Sequence, residues 1–233
     1  MAFGPPVFAS WGAIVFWAVF LWAFFPEFGV IARAKAAGAG PQDRGTMRLI
    51  SLAGQASMTA AFVVAFIPVL LMPWRQMVLW VGTGLLLAGS LLRRACFRAL
   101  GKHFTGAVHV TADQPVIETG AYRLVRHPSY TGGIMMFLGV GLALGSWLSA
   151  AILLAERCVV YAFRVRAEEA AMLATVGEPY RAYMARTKRF IPFIVSLSRQ
   201  DRPPAAVVAG RMSWVYAWRE TSAAPLSMGG RPR

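Results

Sequence analysis

Residues 120–133 read GAYRLVRHPSYTGG, and their reading decides how the rest of the chain is laid out. Fourteen residues hold Arg123, Arg126, His127, Tyr122, Tyr130, Pro128 and three glycines, directly before an uncharged apolar run. Pro128 disfavours helix at His127, so the backbone there is extended or turning. The fixed φ of Pro128 suits a first helical turn, so the next helix begins here. A polar turn at the mouth of a membrane helix is costly unless it lines water or a ligand. A basic interfacial anchor in front of a helix is the plainer alternative.

Outward from this stretch the chain is strongly apolar. Of 233 residues, 57% are hydrophobic, and the mean hydropathy is +0.52. Several runs approach the ~20 residues that cross a bilayer. Spans are expected at residues 7–25, 49–72, 77–92, 130–148 and 149–163. The first lacks a basic leader and a small-residue cleavage site, so it reads as a retained helix. Pro26-Glu27 marks its end. Gln55, Ser57 and Thr59 in the second span suit helix-to-helix hydrogen bonds, and Gly82, Gly84 and Gly89 in the third suit close helix contact.

The net charge of +14 raises nucleic acid as a partner, but its distribution argues against that. The basic residues gather between and after the spans. Arg33, Lys35, Arg44 and Arg48 fill the first loop, Arg75 alone the second, and Arg93, Arg94, Arg98, Lys102, Arg123 and Arg126 the third. The bend between the last two spans has none, and the region after Phe163 is rich in them. This alternation puts the N-terminus outside and the first, third and C-terminal polar regions in the cytoplasm. Cys96 and Cys158 form no CxxC and read as free thiols. No metal is expected.

From Phe163 the chain reads FRVRAEEAAMLATVGEPYRAYMARTKRFIP. The fifth span continues as an amphipathic helix ending at Gly177. A further amphipathic helix opens at Glu178-Pro179, with Tyr180, Tyr183 and Met184 on one side. Arg164 and Glu168, four apart, share a face. Residues 199–233 read as a mobile basic tail. The organisation is thus an all-α polytopic protein of about five membrane helices. It has a membrane region over 1–92, a site-bearing region over 93–198 and a tail over 199–233.

Together these pieces resemble the isoprenylcysteine carboxyl methyltransferase family of integral membrane S-adenosylmethionine (SAM) methyltransferases, which is related to phospholipid methyltransferases. The matching pieces are Gly120-x-Tyr122, Arg126-His127-Pro128-Ser129-Tyr130-x-Gly132, Arg164-x-x-x-Glu168-Glu169, Gly177-Glu178-x-Tyr180-x-x-Tyr183 and Ile191-Pro192. The resemblance implies SAM contacts at Gln114, Val116, Ile117, Tyr122, His127, Pro128, Ser129, Tyr130 and Glu168. Gln114 and Pro115 depart from the family's usual pattern there. His109 falls near a position where some members of the family place an amide. It also implies that Arg164 meets an acceptor carboxylate and, with Glu168, carries the chemistry. A carboxylate acceptor is already ionised at neutral pH, its reference pKa being ~4, and asks for aim and desolvation, which a planar guanidinium supplies. The implied acceptor is an isoprenylcysteine or lipid-like carboxylate entering from the bilayer. The alternatives are a phospholipid amine, for which Glu169 would have to act as base, or a small thiol. A non-enzymatic alternative makes His103, His109 and His127 haem ligands. They lie in loops or at a helix mouth, where bundle haem ligands are not usually found.

Overall fold

The structure is a computed structural model and describes residues 4–37, 43, 45–101, 110 and 115–190. Among these residues it is built of helices, with two isolated β-bridges. The helices are α1 (Pro6–Ala9), α2 (Gly12–Ala37), α3 (Thr46–Val64), α4 (Arg75–Leu100), α5 (Pro128–Ala143), α6 (Trp147–Thr175) and α7 (Glu178–Arg186). Short 3-10 turns occupy Pro68–Leu70 and Gly120–Arg123.

The first helix boundary differs from expectation. α2 does not stop at Pro26 but runs through it to Ala37. A proline inside a helix leaves the carbonyl four residues back without its donor. Here that carbonyl belongs to Trp22, and Arg94 Nη2 donates to it at 2.6 Å. The Arg94 guanidinium also lies 3.8 Å above the Trp22 ring. A donor from α4 therefore replaces the missing N–H. α4 likewise continues eight residues beyond 92, because Arg93 and Arg94 face α2 rather than forming a loop. It crosses the 92/93 division without a break. α3 ends earlier than expected, at Val64, with Pro68 opening a 3-10 turn shortly after.

α5 begins at Pro128 with a non-helical His127, as the sequence requires. α6 is one helix of 29 residues that carries the amphipathic extension, and Gly177, at φ +71°, separates it from α7. Gly145, at φ +69°, turns α5 into α6. Tyr180 and Tyr183 of α7 are buried.

α4 and α5 lie antiparallel and touch through glycines. Gly82 meets Gly139 and Ala143, and Gly89 meets Gly132 and Met136. Gly84 meets nothing within 4 Å, so its expected contact role does not hold. A Cβ at Gly82 would sit 2.5 Å from the Gly139 carbonyl oxygen and collide with Ala143 nitrogen. Those are backbone atoms, so only separation of the helices relieves the clash. Gly82→Ala is expected to destabilise the protein by about 1–3 kcal/mol. Gly84→Ala should be neutral or slightly stabilising, since alanine favours helix. Thermal unfolding of both in detergent checks this, and equal melting would refute the packing account.

α3 packs antiparallel to α6. The polar residues expected to link them do not: Ser57 donates to Gly54 O and Gln55 to Ser51, both within α3, and Thr59 is exposed. Ser149 of α6 instead donates to Ala61 O at 2.7 Å. α2 runs parallel to α4, with Trp11 against Trp80 at one end and Glu27 against Arg93 at the other. Phe16, Leu79, Leu86, Met136 and Leu153 fill the centre. Trp11, Ile14, Phe25 and Val69 are each more than 70% exposed, a surface suited to lipid.

α3 and α4 are long and apolar enough to cross a membrane, and Gly12–Glu27 is a shorter apolar stretch. α5, at 16 residues, is ~24 Å long by its helical rise, short of the ~30 Å hydrocarbon core. α6 carries Glu156 and Arg157 within it. Arg157 is buried, with its guanidinium 4.0 Å from the Phe137 ring and paired to Glu156. These features set α5 and α6 apart from α3 and α4.

Candidate active site

The helix directions collect the charged residues at one end of the bundle. Glu27 of α2, Asp43 before α3, Arg93 of α4, the bend before α5, and Arg164 to Glu169 of α6 all meet there. The bend is held by its backbone. Arg126 N–H donates to Lys188 O at 2.7 Å and His127 N–H to Arg189 O at 3.0 Å. The segment after α7 thus runs beside residues 125–127 as a short parallel bridge. His127 O accepts from the N–H groups of Tyr130 and Thr131. The bend's backbone groups are spent on the protein itself. The reason is that a buried N–H without a partner is costly.

Glu169 is the anchor beneath this bend. Its carboxylate accepts from Arg126 Nε at 3.1 Å and from Arg189 Nη2 at 2.6 Å. His127 Nε2 lies 3.2 Å from the same group. Burial pushes the Glu169 carboxyl up, but hydrogen bonds from His127 and Arg189 and the charges of His127 and Arg126 outweigh it, holding it at about 2. Arg126 also donates to Met184 O and Thr187 O, at the C-terminal end of α7, where a cation is favoured by the helix dipole. Burial raises the Tyr180 phenol well above its ordinary range, with Glu169 adding to it. Glu169 is therefore an ionised hub between two guanidiniums and the His127 ring, poorly suited to the role of a proton-accepting base.

Its neighbour Glu168 is different. It is 27% exposed at the side chain. It accepts from the Tyr130 hydroxyl and, at 3.1 Å, from Arg164 Nε. His127 Nδ1 lies 3.7 Å from its other oxygen. Arg164 Nε also reaches the Tyr130 hydroxyl at 3.2 Å. The bend and the Arg-x-x-x-Glu helix thus meet in one cluster: His127, Tyr130, Arg164 and Glu168. The Tyr130 ring stands 4.6 Å from the Tyr161 ring.

Arg164 is among the most deeply buried side chains, at 2% exposure. Its Nη1 pairs with Asp43 and donates to Thr46 Oγ1 at 2.7 Å. Asp43 in turn accepts from Met47 N–H at 3.0 Å and so caps the start of α3. Sequence reading missed Asp43. Its one available signal was the pattern Asp43-x-x-Thr46 ahead of an apolar run, which marks a helix start and not a site.

Pro128 and Ser129 open α5. Pro128 is fully buried, and Ser129 offers its carbonyl and hydroxyl to Arg93 Nη1 at 2.9 and 3.2 Å. Arg93 spends its other nitrogens on Glu27, at 2.7 and 2.6 Å. Arg93 and Glu27 were also missed, since both read as loop charges. Tyr122 is buried below α7, its carbonyl accepting from Tyr183 at 2.6 Å. Burial, the Cys96 thiol and the Glu168 carboxylate push its phenol well above the ordinary range. Val116 and Ile117 lie half-buried in irregular backbone, beside Glu118, which pairs with Arg186. Gln114, His103, His109, Ile191, Pro192 and the tail fall outside the described residues.

Residues 77–178 match the phospholipid methyltransferase family. The chain is 29% identical over 116 residues to the protein-S-isoprenylcysteine O-methyltransferase of Schizosaccharomyces pombe, covering 48% of this chain and 48% of that protein. It is 27% identical over 139 residues to protein-S-isoprenylcysteine O-methyltransferase B of Arabidopsis thaliana, covering 56% of this chain and 66% of that one. The match thus spans from about half to just under two thirds of these relatives. In fold it resembles a eukaryotic intramembrane Ras methyltransferase, an isoprenylcysteine carboxyl methyltransferase. The TM-score is 0.53 at 24% identity, over 62% of this chain and 52% of that structure.

Proposed function

We propose that this chain, a relative of the isoprenylcysteine carboxyl methyltransferases, is an integral membrane SAM-dependent methyltransferase. It O-methylates the carboxylate of an isoprenylcysteine or lipid-like acceptor. The observation that carries the reading is the cluster of Tyr130, Glu168 and Arg164 at the arginine-rich end of the bundle. α2 to α6 are taken as five membrane helices, with the N-terminus outside and this end, with the C-terminus, in the cytoplasm. The charged α6 is accommodated because Arg157 is buried against Phe137 and paired with Glu156 rather than facing lipid.

The donor set fits SAM. That molecule carries a sulfonium, an ammonium and ribose hydroxyls. Glu168 is a partly exposed carboxylate able to accept from the ammonium or hydroxyls. The Tyr130 ring beside it offers a π-face to a cation. Ser129, His127 and Pro128 shape the wall behind them, with Tyr122, Val116, Ile117 and Gln114 assigned on resemblance. SAM supplies an electrophilic methyl group. The chain's residues do the rest by placement. Arg164, held from both sides by Asp43 and Glu168, presents a fixed cation at which an acceptor carboxylate is drawn and aimed. Alignment of two bound reactants accounts for ~7–11 kcal/mol of a barrier, and an ionised acceptor needs no base.

An amine acceptor would need a proton removed, and the candidate base Glu169 is engaged by Arg126, Arg189 and His127. A haem reading fits poorly, because both His127 ring nitrogens face carboxylates. The test is methylation with radiolabelled SAM in liposomes, offering a prenylcysteine analogue, phospholipids and small thiols. A base-labile ester on the prenylcysteine supports the proposal; stable methyl groups on lipid amine or sulfur overturn the carboxyl assignment. Glu168→Ala is expected to weaken SAM binding about tenfold or more, the loss of a charged hydrogen bond. Calorimetric titration with the demethylated product reads this, and unchanged affinity would remove Glu168 from the donor site.

A further inference from the structure

Two acidic residues outside the family-matched segment each hold one arginine inside it. Glu27 binds Arg93 through two hydrogen bonds, which leaves Arg93 Nη1 aimed at the Ser129 carbonyl and hydroxyl. Asp43 binds Arg164 Nη1 with one oxygen and the Met47 N–H with the other, and Thr46 bonds both Asp43 and Arg164. The first link ties α2 through α4 to the opening turn of α5. The second ties the opening turn of α3 to α6. Both are buried or nearly so: the side chains of Arg93 and Glu27 are 11% and 19% exposed, those of Arg164 and Asp43 2% and 0%.

We propose that Glu27 and Asp43 are positioning residues with separate duties, Glu27 setting the methyl-donor end through Arg93 and Ser129, Asp43 setting the acceptor end through Arg164. The inference rests on the methyl-transfer reading. Its physical basis is the direction of each link. A guanidinium whose Nε and Nη2 are fixed on one carboxylate can point Nη1 in only one direction. Ser129, which receives it, precedes Tyr130, the hydroxyl donor to Glu168. Among the described residues Arg164 bonds Tyr130, Glu168, Thr46 and Asp43, and of these four Asp43 supplies the fully buried charge. Sites must be held within ~0.5 Å to work well. The N-terminal helices are then part of the active site's frame, not only its anchor.

The test uses the full chain in nanodiscs, with three readouts on each variant: calorimetric affinity for the demethylated SAM product, KM and kcat for N-acetyl-S-farnesylcysteine, and melting temperature. Glu27→Gln removes the charge, and Glu27→Asp keeps it at shorter reach. Asp43→Asn retains an oxygen for the Met47 N–H and so spares the α3 cap. Glu27→Gln is expected to weaken product binding about tenfold with the acceptor KM unmoved, and Glu27→Asp to restore part of it. Asp43→Asn is expected to lower kcat/KM for the acceptor about tenfold with product affinity unmoved; about tenfold is the scale of one lost contact in such a network. Variants that melt lower but keep affinity, KM and kcat show mere structural pairs and overturn the proposal. So does an equal shift of every parameter in both. A wild type that binds no SAM product would instead sink the methyltransferase reading itself. A wild type that binds it but never methylates the farnesylcysteine rejects the Asp43 assignment and leaves Glu27 to be judged on affinity.

Discussion

Arg164→Ala is expected to abolish detectable methyl transfer and also to cost the protein about 3–5 kcal/mol of stability, the usual penalty for breaking a buried ion pair. The second effect follows from geometry rather than from function. Arg164 is 2% exposed, and Asp43, its partner, is fully buried. Removing the guanidinium takes from the buried Asp43 carboxylate its ion pair with Arg164 and leaves Thr46, Tyr130 and Glu168 without a donor they now share. An inactive Arg164→Ala protein would therefore not by itself prove a chemical role.

The double variant Arg164→Ala/Asp43→Asn separates the two effects. It removes both buried charges, so much of the lost stability should return, while turnover should not. Arg164→Lys keeps the charge but not the fork that reaches both Asp43 and Glu168, and should fold while losing most activity. Melting temperature and initial rate, measured on the same detergent preparations, decide it. A stable Arg164→Ala/Asp43→Asn protein with wild-type rate would show that Arg164 is scaffolding.

Each half of the cluster was legible in the sequence as a local pattern, while their meeting was only what the family resemblance implied. Pro128 sets a helix start, and Arg164 and Glu168 stand one turn apart. The partners of those groups were not legible. Asp43 and Arg164 are 121 residues apart, and Arg93 and Glu27 are 66 apart. No rule of period or propensity pairs charges across such distances. Pro26 shows the same limit from the other side: a local rule ends the helix there, and a donor from Arg94 overrides it. Gly82 and Gly84 look alike in sequence, yet only the first faces α5, because helix rotation is set by packing. Glu168 and Glu169 are adjacent and chemically identical, but 100° of helical turn sends one to the site and the other between Arg126, Arg189 and the His127 ring.

Glu169→Gln tests that last distinction and should show the second large effect. The wild-type carboxylate neutralises Arg126, whose side chain is 2% exposed, and also engages Arg189 and His127. An amide keeps some hydrogen bonds but no charge, so Arg126 is left buried without its counterion. The sign with pH is fixed by the direction of the shift. Glu169 titrates at about 2 in the folded protein against 4.5 ordinarily. A carboxyl lowered on folding contributes its stability fully above the ordinary value and loses it as pH falls toward the folded one. The gap between wild type and Glu169→Gln should be on the order of 3 kcal/mol near neutrality, 2.5 pKa units being worth that much. It should close as pH drops from about 4.5 to about 2. SAM-product affinity at neutral pH should fall less than in Glu168→Ala, since Glu169 acts through the bend and not on the ligand. Chemical denaturation across that pH window reads the gap. A difference that stays constant with pH would mean that Glu169 is not the ionised centre of this cluster.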